Sequence, residues 1–513
     1  MINILQMLEN SAMVYPERIA FSDTVKEISF KELLDSTKRC ASYLLDKNYF
    51  SFDMPGRACA FFMEKSVDAV TVMFAAVYAG GFYSFIDIRQ PAERTRKLID
   101  VLEPAIVVTD QSGLKTLEEY YAGDFCGLKV VLIDSLIEAS KGHSINQPLL
   151  DSIRNSSFDC APLYVNFTSG STGVPKGVVV SHRSVCDFIE VFTKTFHIDE
   201  NDIIANQAPF DFDVSVKDIY SGLLTGAKVV LIPREYFSNP TVLMDYICDN
   251  KVTNLTWAVS AMCFVSIMNG FDYRCPDTVR RIMFSGEVMP IKQLNKWKKY
   301  IPDAMYVNLY GPTEITCNCT YHILDREYEK DEVIPIGIPF INEKVFLLDE
   351  NDELVTTPHT EGELCVSGTC LALGYYKDKE KTDKVFVQNP LNKEYNETIY
   401  RTGDNAKYDD DGILIYTGRK DFQIKHMGQR IELGDIEVSA MALDNVSRAC
   451  CIYDFKHQKI ILFVTGDVDK DYVASELKLK LPPFMMPGKT VVLEEFPMNK
   501  NGKIDRTALA SMK

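Results

Sequence analysis

Two stretches of this sequence carry residue types and spacings suited to handling phosphate and a charged ligand. In LYVNFTSGSTGVPKGVVV (163–180), an apolar run passes into Thr168, Ser169, Gly170, Ser171, Thr172 and Gly173, then Pro175, Lys176 and Gly177, and finally a second apolar run. Small residues let backbone N–H groups and hydroxyls surround a polyphosphate closely, and Lys176 adds a point charge. Lys176 is followed by glycine and a strand-like run, so this is not a Walker loop, which needs Ser or Thr and a helix at that point. A bare hairpin tip is the bland alternative. The second stretch, PFDFDVSVKDIY (209–220), sets Asp213 and Lys217 four residues apart, on one face of a predicted helix. Lys217 either meets an acidic or amide group of a substrate or pairs with Asp213 or Asp218. Asp213 either faces a ligand or caps the helix that follows.

The chain that positions these residues has 513 residues, enough for about two to four domains. A 46% hydrophobic and 11% aromatic composition can bury sizeable cores. The formal charge of −17 disfavours nucleic acid, so a nucleotide must be held by a local site. Fourteen cysteines are scattered without a CxxC pair, which implies neither a disulfide framework nor a zinc site. The N-terminus lacks a basic region followed by an apolar one, so a reduced, cytoplasmic setting is expected. Residues 69–86 are uncharged but broken by Gly80 and Gly81, and read as a buried helix turning into a core strand, not as a membrane span.

Through most of the N-terminal part, β-branched runs such as 105–109 and 129–132 alternate with helical stretches such as 30–46 and 240–250, predicting α/β layers with largely parallel sheets. From about Gly337 the texture changes to strands punctuated by acidic and glycine turns, a small β-barrel-like subdomain. A third texture follows 417–421: a helix at 434–443, strands near 449–453 and 459–465, a helix at 472–481 and a polar, basic end. The expected organisation is therefore a large N-terminal domain of layered α/β and β subdomains over 1–417 and a small, mobile α+β C-terminal domain over 418–513.

TSGSTGVPKG resembles the signature loop of the adenylate-forming superfamily, which includes acyl-CoA synthetases, luciferases and the adenylation domains of nonribosomal peptide synthetases. Further motifs of that family follow in order: NLYGPTE (308–314), GELCVSG (362–368), YRTGD (400–404), GRKDFQIKHMGQRIELGDIE (418–437) and NGKIDR (501–506). The resemblance spans nearly the whole chain. It implies an ATP-dependent ligase that forms an acyl-AMP and pyrophosphate. It further implies that Thr313 contacts phosphate, that Glu314 holds Mg2+, that Tyr310 and Asn308 lie by adenine and that Asp404, assisted by Arg419, binds the ribose hydroxyls. Lys503 resembles the lysine that stabilises charge while the adenylate forms. Asp421 matches the hinge about which the C-terminal domain exchanges Lys503 for a thioester-forming face carrying Lys425 and the 426–428 loop.

Phe212-Asp213-Val214-Ser215-Val216 resembles the FDxSV element of amino-acid-activating members, in which the aspartate meets the substrate α-ammonium. An anion there repels a fatty acid and neutralises a zwitterion. By the same alignment Val214, Lys217, Met262, Met283, Ser285, Leu309, Cys317 and Asn318 line the side-chain pocket. The run also resembles D-alanine:carrier-protein ligases, except at Lys217. Ala261-Met262 and GGFYSFIDIRQPAER depart from the usual family wording at places that bear on pocket shape. The chain ends after the lysine motif with no carrier segment, so the expected acceptor is the phosphopantetheine thiol of a carrier protein in trans. The rivals are an acyl- or aryl-CoA synthetase, for which Asp213 is dispensable, and a non-catalytic scaffold, whose signature would be loss of Lys503, Glu314 or Asp404.

Overall fold

Short apolar strands, too buried for one wet face, separated by amphipathic helices, can only be covered by helices on both sides of a sheet. The computed structural model describes residues 3–50, 56–169, 175–329, 332–419, 423–498 and 504–512, and among these the N-terminal part builds two such sheets. One has nine strands; its central members, Met305–Tyr310, Arg281–Ser285, Asn254–Ala258, Ile203–Asn206, Lys228–Leu231 and Ile19–Ser22, run parallel. The other has seven; Pro162–Thr168, Phe82–Phe85, Ala58–Phe62, Ile106–Thr109 and Val130–Leu132 run parallel, Lys176–Ser181 pairs antiparallel with Pro162–Thr168, and Gly374–Tyr375 pairs antiparallel with Lys176–Ser181 at the edge.

Local sequence explains the main helices. Phe30–Asp46 begins in a capping box, in which Ser29 and Glu32 satisfy each other's backbone N–H groups. Val67–Tyr78 is buried almost all round because it lies between layers; it turns at Gly80, whose φ is +83°, into Phe82–Phe85. The 69–86 run is thus core, and no described helix is long and apolar enough to cross a membrane.

Beyond residue 340, Glu343–Leu348, Gly362–Gly368, Thr398–Tyr408 and Leu414–Arg419 belong to a six-stranded antiparallel sheet whose ladder shifts register near Glu363 and Asn405. Such bulges add twist and curvature. The hairpin Gln423–His426/Gln429–Glu432 follows. The helix Leu433–Met441, the strands Val446–Asp454 and Lys459–Gly466 and the helix Lys470–Lys478 share a separate core around Ile436, Leu462, Val473 and Leu477, and Lys489–Leu493 completes the three-stranded sheet.

Candidate functional site

The strand Pro162–Thr168 delivers Thr168 and Ser169 to the edge of a cavity of about 110 Å³. The helix Val214–Thr225 brings Asp213 and Val214 to the same cavity, the strand Arg281–Ser285 brings Ser285, and the segment after Met305–Tyr310 brings Thr313, Cys317 and Asn318. Gly311 is required for this convergence: a Cβ there would lie 2.6 Å from the Asn318 Cα and the Cys317 carbonyl. Thr316 and Cys317 hold left-handed φ values of 54° and 78°, which cost conformational energy in non-glycine residues. The bond from Thr316 Oγ1 to the Cys370 carbonyl, 2.7 Å, and that from Cys317 Sγ to the Asp213 carbonyl, 2.9 Å, hold the turn.

Asp213 is the residue before the helix, yet its side chain makes no capping hydrogen bond. Its carboxylate lines the cavity instead, where burial pushes its pKa up, opposed by a hydrogen bond from Thr313 and by the Lys217 ammonium. Lys217 does not pair with Asp213 or Asp218; its Nζ donates to Asn318 Oδ1 at 2.6 Å, and burial pushes its pKa down. Met262, Met283 and Lys217, all expected in the side-chain pocket, are buried and line neither this cavity nor the larger one beside it. Met262 belongs to the core, where its carbonyl accepts from Trp297 Nε1 at 3.0 Å.

Leu309, Asn308 and Tyr310 line that larger cavity, of about 920 Å³, between the nine-stranded sheet and the C-terminal segment, together with Arg419 and Lys425. Asn308 Nδ2 donates to the Pro335 carbonyl at 2.8 Å. Asp404 and Arg419 face each other across neighbouring strands, and Arg419 Nη1 donates to Asp404 Oδ1 at 2.5 Å while the Tyr310 hydroxyl donates to Oδ2. The Lys425 ammonium stands 5.3 Å from the centre of the Tyr310 ring, and burial lowers its pKa, opposed by Asp404.

Glu314 is fully buried. Its Oε1 accepts from the Tyr375 hydroxyl at 2.8 Å and its Oε2 from Arg430 Nη1 at 2.6 Å. Burial raises its pKa, but the Arg430 guanidinium and the Tyr375 hydroxyl more than offset this and hold it below the usual carboxylate range. An ionised carboxylate is a hard oxygen donor that fits Mg2+, and Glu314 would serve as one only with Arg430 released from Oε2. The same hairpin reaches the strands Pro162–Thr168 and Lys176–Ser181: Ser169 Oγ donates to the Arg430 carbonyl at 2.7 Å and accepts from the Glu432 N–H at 3.0 Å, while Lys176 Nζ lies 3.3 Å from Glu432 Oε1. Reading the sequence alone missed Arg430 and Tyr375, because their partner lies far away along the chain. Gly170, Ser171, Thr172, Gly173, Asp421 and Lys503 lie outside the described residues.

A family model described as "AMP-binding enzyme" matches residues 8–376. Tyrocidine synthase 1 of Brevibacillus parabrevis is 30% identical over 99% of this chain and 45% of its own length. Surfactin synthase subunit 1 of Bacillus subtilis is 30% identical over 99% of this chain and 14% of its own. The chain thus spans less than half of either relative, whereas it spans 94% of zwittermicin A synthase ZmaJ of Bacillus cereus, at 28% identity over 99% of this chain. The fold is shared with the Vibrio cholerae adenylation domain AlmE, solved in complex with glycyl-adenosine-5'-phosphate (TM-score 0.83, 22% identity, 99% of this chain and 98% of that one). It is also shared with holo-PA1221, a nonribosomal peptide synthetase protein containing adenylation and carrier (PCP) domains (TM-score 0.84, 24% identity, 99% and 84%).

Proposed function

The chain belongs to the AMP-binding enzyme family of ATP-dependent ligases, and on that premise we propose that it adenylates an amino acid and passes the aminoacyl group to the phosphopantetheine thiol of a carrier protein. The observation that carries the reading is Asp213: a carboxylate at a helix start that caps nothing and lines a cavity shared with Thr168 and Thr313. An α-ammonium placed there restores the charge that burial opposes.

In the first half-reaction a substrate carboxylate oxygen bonds to the α-phosphorus of ATP, and the bond from that phosphorus to the bridging β-oxygen breaks, releasing pyrophosphate. Asp213 holds the ammonium, Thr313 and the Thr168–Gly173 run bind phosphate oxygens, Tyr310 and Asn308 border the base, and Asp404 with Arg419 holds the ribose hydroxyls. Lys503 supplies charge to the reacting carboxylate and α-phosphate. Glu314 would hold Mg2+, which when bound neutralises charge on the leaving pyrophosphate. In the second half-reaction the carrier thiol, having lost its proton, bonds to the acyl carbon and AMP leaves.

The division into 1–417 and 418–513, with a swing about Asp421, explains how one cavity serves both steps. The hairpin of Lys425 and Arg430 lies over the site here, the arrangement suited to thiol transfer because the metal-binding carboxylate is already paired. Support for a carrier partner comes from shared fold with solved adenylation–carrier didomain proteins, and a cytoplasmic location agrees with the free cysteines.

Exchange of labelled pyrophosphate into ATP, run over amino acids, fatty acids and aryl acids, tests the reading. Amino-acid-dependent exchange that Lys503→Ala abolishes while ATP binding persists is the expected result. Exchange with aryl or fatty acids alone overturns it.

A further inference from the structure

Lys217 and Asn318 meet at the wall of the amino-acid cavity, and the adenylation chemistry uses neither. Both are only 1% exposed, and Lys217 Nζ donates to Asn318 Oδ1 at 2.6 Å. Among the described residues no carboxylate lies within ion-pair distance of Lys217. Its sequence neighbour Asp218 is turned to another strand, accepting from Asn206 Nδ2 at 2.9 Å. A buried ammonium bonded to a neutral amide lacks the counter-charge that such burial ordinarily requires. Burial accordingly holds its pKa below the usual lysine range, against the opposing influence of Cys317, Asp213 and Asp218.

The bond also fixes the Asn318 side chain. With Oδ1 committed to Lys217, the Nδ2 group must point away from the ammonium, and it has no protein partner among the described residues. Asn318 lines the cavity beside Asp213, Val214, Ser285 and Cys317, while Lys217, bonded to it, is not part of the lining. The cavity therefore presents a hydrogen-bond donor backed by a positive charge. Once an α-ammonium has neutralised Asp213, Lys217 is left without a counter-charge at this wall; the cavity's other charged lining residues are Arg94, Asp211, Lys425 and Arg430.

We propose that the amino acid selected here has a side chain ending in a carboxylate, which accepts from Asn318 Nδ2 and is balanced by Lys217. This rests on the amino-acid adenylation reading and names its substrate class. Lys217 acts through Asn318 and is a positioning residue. An apolar side chain leaves Nδ2 unpaired, a basic one meets like charge, and a carboxamide matches the donor without balancing the charge.

Pyrophosphate exchange with the L and D forms of aspartate, glutamate, asparagine, glutamine, alanine, leucine, phenylalanine and lysine tests it, using the full chain and Lys217→Met, Lys217→Arg and Asn318→Ala variants checked by thermal unfolding. The expected result is an acidic substrate preferred over its amide by more than ~10-fold in kcat/KM, and over apolar or basic ones by more than ~100-fold. Lys217→Met should bring the acid-to-amide ratio near one, chiefly through KM, and Lys217→Arg should keep it. Exchange driven by a neutral or basic amino acid and not by acidic ones overturns this inference and leaves adenylation standing. Absence of exchange with any amino acid overturns the adenylation reading itself. If Lys217→Met fails to fold, the wild-type panel and the loss of acid preference in Asn318→Ala still decide.

Discussion

Arg430 Nη1 lies 2.6 Å from Glu314 Oε2, closing a buried ion pair between residues 116 positions apart. The carboxylate proposed to serve the nucleotide's metal is thus engaged by a cation from the C-terminal hairpin, which also binds Ser169 and Lys176. On that proposal the hairpin and the metal-bound nucleotide would compete for one group, and each would weaken the other's hold by the same factor.

Replacing Arg430 with methionine removes the competitor. Pyrophosphate exchange should hold within a few-fold of wild type, while transfer to a carrier thiol falls more than ~10-fold, because the hairpin loses an anchor of the order of 3 kcal/mol. Quench-flow measurement of the two half-reactions checks this; equal loss in both would remove the competition from the mechanism.

The raised pKa of Asp213 gives the amino-acid step an acid limb. Ammonium binding needs the ionised carboxylate, so kcat/KM for the amino acid should fall as pH drops through a value above the ordinary aspartate pKa of about 3.9. Asp213→Asn should lose the limb and more than ~100-fold of kcat/KM. A pH profile of exchange reads both, and an unchanged limb in the variant would assign it elsewhere.

Asp404 receives hydrogen bonds from both Arg419 and Tyr310. Arg419→Ala leaves the carboxylate with one donor and should raise the KM for ATP by about 10-fold, with little change in amino-acid KM. Tyr310→Phe should do so more weakly. Initial-rate kinetics with each substrate varied separate the two constants.

Far from the chemistry, Trp297 is fully buried, packs edge-on against Trp257 and Phe271 at 6.4 and 4.8 Å, and donates to the Met262 carbonyl. Trp297→Ala should destabilise the fold by about 3–5 kcal/mol. Denaturant unfolding followed by tryptophan fluorescence and far-UV dichroism measures the loss.

Local patterns predicted local structure well. The helix expected over 30–46 forms at Phe30–Asp46, and the run 69–86 is a buried helix and strand. The helix expected at 434–443 begins at Leu433 and ends at Met441. These succeed because period, caps and glycine breaks act over a few residues.

What the residues alone determined is the α/β class, the strand that ends at Thr168, and the chemical families of the side chains that matter, since those depend on composition and short-range spacing. Whether Asp213 capped its helix or faced a cavity, whether Lys217 paired with a carboxylate or with Asn318, and that Glu314 answers to Arg430 were decided by tertiary structure. A side chain's partner is the group that burial leaves within about 3 Å of it, and chain separations of 101 and 116 residues carry no local signal of that meeting.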